Sequence, residues 1–354
     1  MINYIKSIDK VDYSDIHIRE GSRLAIRQRG EIIKTDKKVV FEDILKFLEQ
    51  VGKRDMIDNL KTKGELDFSI EIGLIRFRAN LFLHRQGIGL VLRKINSKIR
   101  TFRELGLPDT VTEFAKMTSG LVLITGPTGS GKSSTLAAII EYINTNFAKH
   151  IICIEDPIEY YYEDKKSIIS QRELGLDSLS FKNALKYSLR QDPDVIVVGE
   201  VRDEETVKVA MMAAETGHLC FCTLHTLGAG PSIERIVDMF EPGDQAKVRS
   251  HLSIVLKGVL SQQLIGTSGE RRLVVEMLLS DRPVANMIKE GKTDQINNYI
   301  LTNRSRGMES MDENLLQLYD SKLIDIETLL GHAIDRDYLR KKRGNTKEGY
   351  GLWT

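Results

Sequence analysis

The segment Gly126-Pro127-Thr128-Gly129-Ser130-Gly131-Lys132-Ser133 constrains this 354-residue chain more than any other feature. It fits the pattern G-x-x-x-x-G-K-[S/T], follows the apolar run 121–125 and opens a helical stretch over 133–146, and that context is what makes the motif credible. Glycines let successive backbone N–H groups turn inward into a nest, and the helix N-terminus adds its positive dipole end at the same point. The pattern predicts a nucleoside triphosphate site built from Gly126, Thr128, Gly129, Ser130, Gly131, Lys132, Ser133 and Ser134. Lys132 would meet the β and γ phosphates, and the Ser133 hydroxyl would bind Mg²⁺. The weaker alternative is a glycine-rich turn with a solvated lysine.

Beyond residue 110 the chain alternates apolar runs with helical patterns. The runs 121–125, 151–154, 195–198, 219–223 and 273–277 are near-continuous hydrophobic segments of strand length, as parallel strands covered on both faces require. The stretch 204–215 places Val207, Ala210, Met211 and Ala214 on one helix face, with Gly217 as the stop. This alternation predicts a doubly wound α/β domain. The first hundred residues differ. Strand-like runs at 15–19, 24–27 and 73–82 surround one helical pattern over 41–50, which predicts a small α+β domain. The weakly periodic stretch 96–108 marks the change, and the expected division is 1–100, a linker over 101–112, and 113–354. The last part of the chain reads as mostly helical and ends in a polar tail from residue 340.

Lys and Arg number 51 against 50 Asp and Glu, so no bulk positive field recommends nucleic acid or anionic lipid as a partner. The balance hides an asymmetry: residues 1–100 hold 21 basic and 14 acidic side chains, a charge of +7, against −6 for the remainder. Cys153, Cys220 and Cys222 sit in apolar runs and cannot form a disulfide framework, which fits a reducing compartment. No apolar run approaches the roughly 18 residues needed to cross a bilayer, and the start of the sequence lacks the apolar core of a signal peptide. The expectation is a cytoplasmic protein without an integral membrane segment.

Two strand ends after the glycine-rich loop run into acids: Glu155, Asp156 and Glu159 after the run 151–154, and Glu200 and Asp203 after 195–198. Ligands of open parallel sheets sit beyond the carboxyl ends of strands, where one acid could steady a Mg²⁺ ion and another position water. Glu155, Asp156 and Asp203 read equally as surface carboxylates or helix caps. His218 and His225 flank the buried run 219–223; such histidines are more often satisfied structural groups, and a metal site with Cys220 and Cys222 is a remote reading.

Taken together, GPTGSGKSS (126–134), IEDPIEY (154–160), LRQDPDVIVVGEVRD (189–203) and AETGHLCFCTLHT (214–226) resemble the Walker A, Asp box, Walker B and His box of the secretion ATPase superfamily, and within it the PilT-type ATPases of bacterial type IV pili. The resemblance extends from SDIHIREG (14–21) through RFRANLFLHRQGIGLVLRKI (76–95) to about residue 315. It implies a PAS-like α+β domain joined to a RecA-like P-loop ATPase domain, assembled as a homo-hexamer with ATP at subunit interfaces. In that family the residue matching Glu159 acts on the attacking water, that matching Glu200 supports Mg²⁺, and those matching His218 and His225 sense or help the γ-phosphate. Of the arginines at 76, 78, 85 and 93, the resemblance favours Arg78 and Arg93 as fingers reaching a neighbour's phosphate, against the alternative of solvated strand arginines.

Assembly ATPases of the superfamily usually carry an extra N-terminal domain and a four-cysteine zinc insert; neither is expected here, since three cysteines offer no C-x-x-C pair. Retraction ATPases typically carry an AIRNLIRE-like helix, whereas this chain reads PVANMIKE over 283–290. Ala285 and Lys289 replace arginines, and lysine lacks the planar fork. The implied function is a ring motor acting on an inner-membrane pilus platform protein to pull pilin subunits from a fibre. A pilus or type II secretion assembly ATPase, a nucleic-acid translocase and a nucleotide-gated interaction module are the alternatives. The basic run at 340–343 reads as a solvated end rather than a membrane-side contact.

Overall fold

The computed structural model describes residues 1–344 apart from 9, 10, 12, 29, 74, 96, 97, 268 and 269, and of residues 343 and 344 only the backbone. Position 74 of the 73–82 run, positions 96 and 97 of the 96–108 stretch, the Arg343 side chain and the tail 345–354 therefore lie outside the described residues. The chain divides into two compact units: residues 1–98 with 159–161, and residues 99–158 with 162–354.

The first unit is a six-stranded antiparallel sheet. Its strands are β1 (Asp15–Arg19), β2 (Arg23–Gln28), β3 (Glu31–Lys38), β4 (Glu65–Ile72), β5 (Ile75–His84) and β6 (Gly87–Ile95), in the order β3-β2-β1-β6-β5-β4. The helix Phe41–Gln50 buries Ile44, Phe47 and Leu48 against Ile16, Ile18, Leu81, Leu90 and Leu92 of the sheet. Alternation along β5 sends Phe77, Ala79 and Leu81 into this core and leaves Arg78 exposed.

The second unit holds a seven-stranded sheet. After β7 (Gly120–Thr125), β8 (His150–Glu155), β9 (Ile168–Glu173), β10 (Val195–Val198) and β11 (Leu219–Leu224) come β12 (Leu256–Gly266) and β13 (Arg271–Leu279), in the order β13-β12-β7-β11-β10-β8-β9. Strands β7 to β12 are parallel to one another. Successive residues feed opposite cores: Leu121, Leu123, Ile152, Ile154, Ile196, Val198, Cys220 and Cys222 pack on one face, and Val122, Ile124, Ile151, Cys153, Val195, Val197 and Phe221 on the other. Two covered faces explain why these strands read as unbroken apolar runs.

One strand expectation is corrected. The run 273–277 lies in β13, which is antiparallel to β12 rather than parallel, because residues 267–270 are too few for a crossover and suit only a hairpin. Strand β12 itself carries no continuous apolar run, since Ser261, Gln262 and Gln263 are buried in it.

Candidate functional site

The glycine-rich loop leaves the carboxyl end of β7 and enters the helix Lys132–Asn146. Gly126, Gly129 and Gly131 all have φ in the left-handed range, at 142°, 80° and 90°. At Gly126 a side chain is excluded twice over, by that φ and by space: an added Cβ would lie 2.2 Å from the Gln262 carbonyl oxygen. Gly131 is the N-cap and has no side chain with which to cap the first turn. The N–H groups of that turn and the helix dipole point to where a phosphate would bind. Lys132 Nζ donates to the carbonyls of Gly126 at 2.7 Å and Pro127 at 3.1 Å, so the ammonium sits over the loop. Ser133 and Ser134 follow on the first turn, half-buried, and Ser130 is buried with its carbonyl accepting from Gln262 Nε2 at 2.7 Å.

Strands β10 and β11 bring two further groups to this end of the sheet. Glu200 follows β10, and its two oxygens are used separately: Oε2 accepts from Arg202 Nη2 at 2.6 Å, and Oε1 lies 3.1 Å from His225 Nε2. The Arg202 hydrogen bond holds the Glu200 carboxyl below its ordinary range, overcoming partial burial, with His225 and Lys132 adding in the same direction. His225 follows β11, and its other nitrogen, Nδ1, is 3.3 Å from Thr128 Oγ1 of the loop. One imidazole thus joins the phosphate loop to the acid at the end of β10. Behind them, the Thr223 hydroxyl donates to the Gly199 carbonyl and the Val201 N–H to the Thr223 carbonyl at 3.1 Å, which locks β10 and β11 at their ends.

His218 is at the other end of β11. Its backbone carbonyl accepts from Gly120 N at 3.0 Å at the start of β7, and its Nδ1 is 3.0 Å from the Ala213 carbonyl. The six residues of β11 separate it from His225, seven steps or about 23 Å at roughly 3.3 Å per residue, so a single subunit does not bring the two histidines together. Cys220 and Cys222 between them are buried, and burial pushes the Cys222 thiol up to about 12 and that of Cys220 well above its usual value. Among the described residues no group of His, Cys, Asp and Glu could hold a metal ion by itself.

The remaining acids separate by use. Asp203 caps the helix Glu204–Glu215, accepting from Thr206 N at 2.8 Å. Glu155 ends β8, 3.5 Å from Gln171 Nε2, and Glu159 groups with the first compact unit. In that unit Arg78 and Arg93 stand directly opposite across β5 and β6. The Arg93 Nε donates to Asp15 Oδ1 at 2.9 Å while its side chain stays largely exposed. Burial raises the Asp15 carboxyl, but hydrogen bonds from Arg93 and Ser14 more than offset it.

Sequence reasoning passed over three residues of β12 and β13. Gln262 tethers the loop through Ser130, Ser261 Oγ accepts from Gly228 N at 2.8 Å, and Glu276 Oε1 accepts from Ala229 N at 2.7 Å. For Ser261 and Gln262 the signal is the run of polar residues between Leu260 and Leu264; for Glu276 it is the single acid inside the apolar run 273–277.

The model of the Type II/IV secretion system protein family matches residues 2–350. The chain belongs to that family. It is 42% identical over 321 residues to the protein named "Type IV pilus retractation ATPase PilT" of Pseudomonas aeruginosa, covering 89% of this chain and 92% of that one. It is 39% identical over 335 residues to the type IV pilus ATPase PilU of the same organism, covering 92% and 87%. A crystal structure of the pilus retraction motor PilT with bound ADP superposes with a TM-score of 0.90 at 42% identity, covering 96% of this chain and 99% of that one.

Proposed function

We infer that this chain is an ATP-hydrolysing motor of a type IV pilus system that powers pilus retraction. The observation that carries this is the near-complete likeness to a retraction motor seen with ADP, together with a phosphate loop joined through His225 to Glu200. Lys132 and the N–H groups of 129–134 bind the β and γ phosphates. The hydroxyl of Ser133 and the carboxylate of Glu200 are hard oxygen donors, and Glu200 is held ionised, so the set suits Mg²⁺. When bound, the ion would neutralise developing phosphate charge. Glu159 orients the attacking water and accepts its proton, and His225 reports γ-phosphate loss between Thr128 and Glu200.

Arg78 and Arg93 act as fingers on a neighbour's nucleotide, which requires a ring; a homo-hexamer is the assembly proposed, with His218 contributing at a subunit boundary. The motor works in the cytoplasm on an inner-membrane platform protein. No helix among the described residues is long and apolar enough to cross a membrane, which suits a peripheral partner. Deletion of the gene followed by complementation tests this reading: surplus, non-retracting fibres are expected, whereas bald cells would point to assembly.

A second reading, an accessory retraction ATPase, is favoured by one observation. The helix Arg282–Lys289 buries Val284 and Ile288, leaves Ala285 half-buried and exposes Lys289, so the departure at 289 alters its outer side. Loss of retraction force with twitching retained in the deletion strain would select it.

A further inference from the structure

Four charged residues form one row across the face of the first sheet that is turned away from its core. Asp15 of β1 stands opposite Arg27 of β2 on one side and Arg93 of β6 on the other, and Arg78 of β5 stands opposite Arg93. Their neighbours along each strand, Ile16, Ile26, Leu92 and Phe77, feed the core, so all four side chains leave the other face. Three guanidinium groups therefore share one carboxylate. Like charges directly opposite across a sheet repel, and Arg78 with Arg93 is such a pair.

The acid is the buried member: Asp15 is 4% exposed, whereas the Arg93 side chain is 71% exposed. Its two oxygens are used separately. Oδ2 accepts from Ser14 Oγ at 2.8 Å and lies 3.8 Å from Arg27 Nε, and Arg27 is itself tied down, donating through Nη1 to the Gly30 carbonyl at 2.7 Å. Oδ1 accepts from Arg93 Nε at 2.9 Å. A guanidinium whose task was to neutralise a carboxylate would meet it with two parallel hydrogen bonds. Here a single bond is made from the stem side, and among the described residues Nη1 and Nη2 of Arg93 donate to nothing.

We propose that Asp15 is a positioning residue for hydrolysis. It anchors Arg93 at Nε so that the terminal nitrogens are already presented outward, to a triphosphate on a neighbouring subunit, and it offsets the repulsion from Arg78 that would turn the side chain aside. This rests on the reading of Arg93 as a finger. An anchored finger has little rotamer freedom left to lose as charge develops on the γ-phosphate, so the benefit falls on the transition state rather than on nucleotide binding.

The test is a double-mutant cycle in steady-state ATP turnover by the full chain, with ADP affinity and melting temperature measured for each protein. Asp15→Ala should lower kcat by about tenfold or more while ADP affinity stays within about threefold of wild type, since a finger misplaced by about 1 Å loses most of its effect. In an Arg93→Ala background the same change should cost less than about twofold in kcat, because no finger is left to place. A merely structural acid would lower turnover alike in both backgrounds, and such additivity would overturn the proposal. So would a loss of turnover in Arg93→Ala that Asp15→Ala does not share, which leaves the finger standing without its anchor. Turnover unaffected by Arg93→Ala removes the finger itself, and the proposal with it. If Asp15→Ala does not fold, Asp15→Asn, which keeps the volume and one acceptor but not the charge, runs the same cycle with a severalfold loss in kcat expected.

Discussion

Replacing Gln262 by Met tests whether β12 sets the phosphate loop. The side chain is fully buried, and its amide donates to the Ser130 carbonyl at 2.7 Å, in a place where the Gln262 backbone lies directly beneath Gly126. Methionine keeps the volume and loses the donor, leaving a loop carbonyl unpaired at a cost of about 1–3 kcal/mol. That cost falls on one loop arrangement rather than on the fold. If binding requires the tethered arrangement, the competent fraction drops and the apparent nucleotide affinity weakens by about 5- to 150-fold. Displacement of a fluorescent ADP analogue measures this, with thermal melting as the control for folding. A Met variant that melts normally and binds ADP within twofold of wild type would refute the tether.

Other consequences can be read separately. Glu276→Gln should flatten the pH dependence of stability: the folded pKa of about 7 exceeds the ordinary 4.5, so the native acid costs stability as pH rises from 4.5 to 7. That penalty is on the order of 3 kcal/mol and then constant, so the variant should melt higher than wild type at pH 8 but not at pH 4.5, by calorimetry. His225→Ala should cut kcat by about tenfold or more, from loss of a charge-assisted bridge of roughly 1.5–3 kcal/mol, with ADP affinity changed only severalfold; steady-state kinetics with an ADP titration checks both. In rings mixed from Arg78→Ala and Lys132→Ala subunits, phosphate release above the sum of the two parents is expected if the arginine acts in trans, and its absence counts against that. Arg93→Ala should lower the melting temperature more than Arg93→Lys, because Asp15 is buried and loses its 2.9 Å partner.

The parts of this molecule that could be read from sequence are those where a residue's own chemistry dictates its surroundings. Gly126 and Gly131 are in the loop because no other residue fits their backbone, and the apolar runs of β7, β8, β10 and β11 follow from burial on both faces. The alternating Cys220 and Cys222 are likewise explained by one covered face. What sequence could not show is burial of polar residues for the sake of a distant partner. Ser261 and Gln262 interrupt the apolar pattern that would have marked β12, and Glu276 sits inside the apolar run 273–277; each is buried because its partner is a backbone group of a loop far away in sequence, at Gly228, Ser130 and Ala229. The ambiguity over Asp203 has the same origin: only coordinates show its carboxylate spent on Thr206, while Glu200, three residues earlier, faces His225. A short sequence interval therefore holds a cap and a site acid that local pattern cannot tell apart. The rule that separates them is physical: an acid whose oxygens are used up by its own helix is structural, and one that joins two loops across a sheet end has a partner worth breaking.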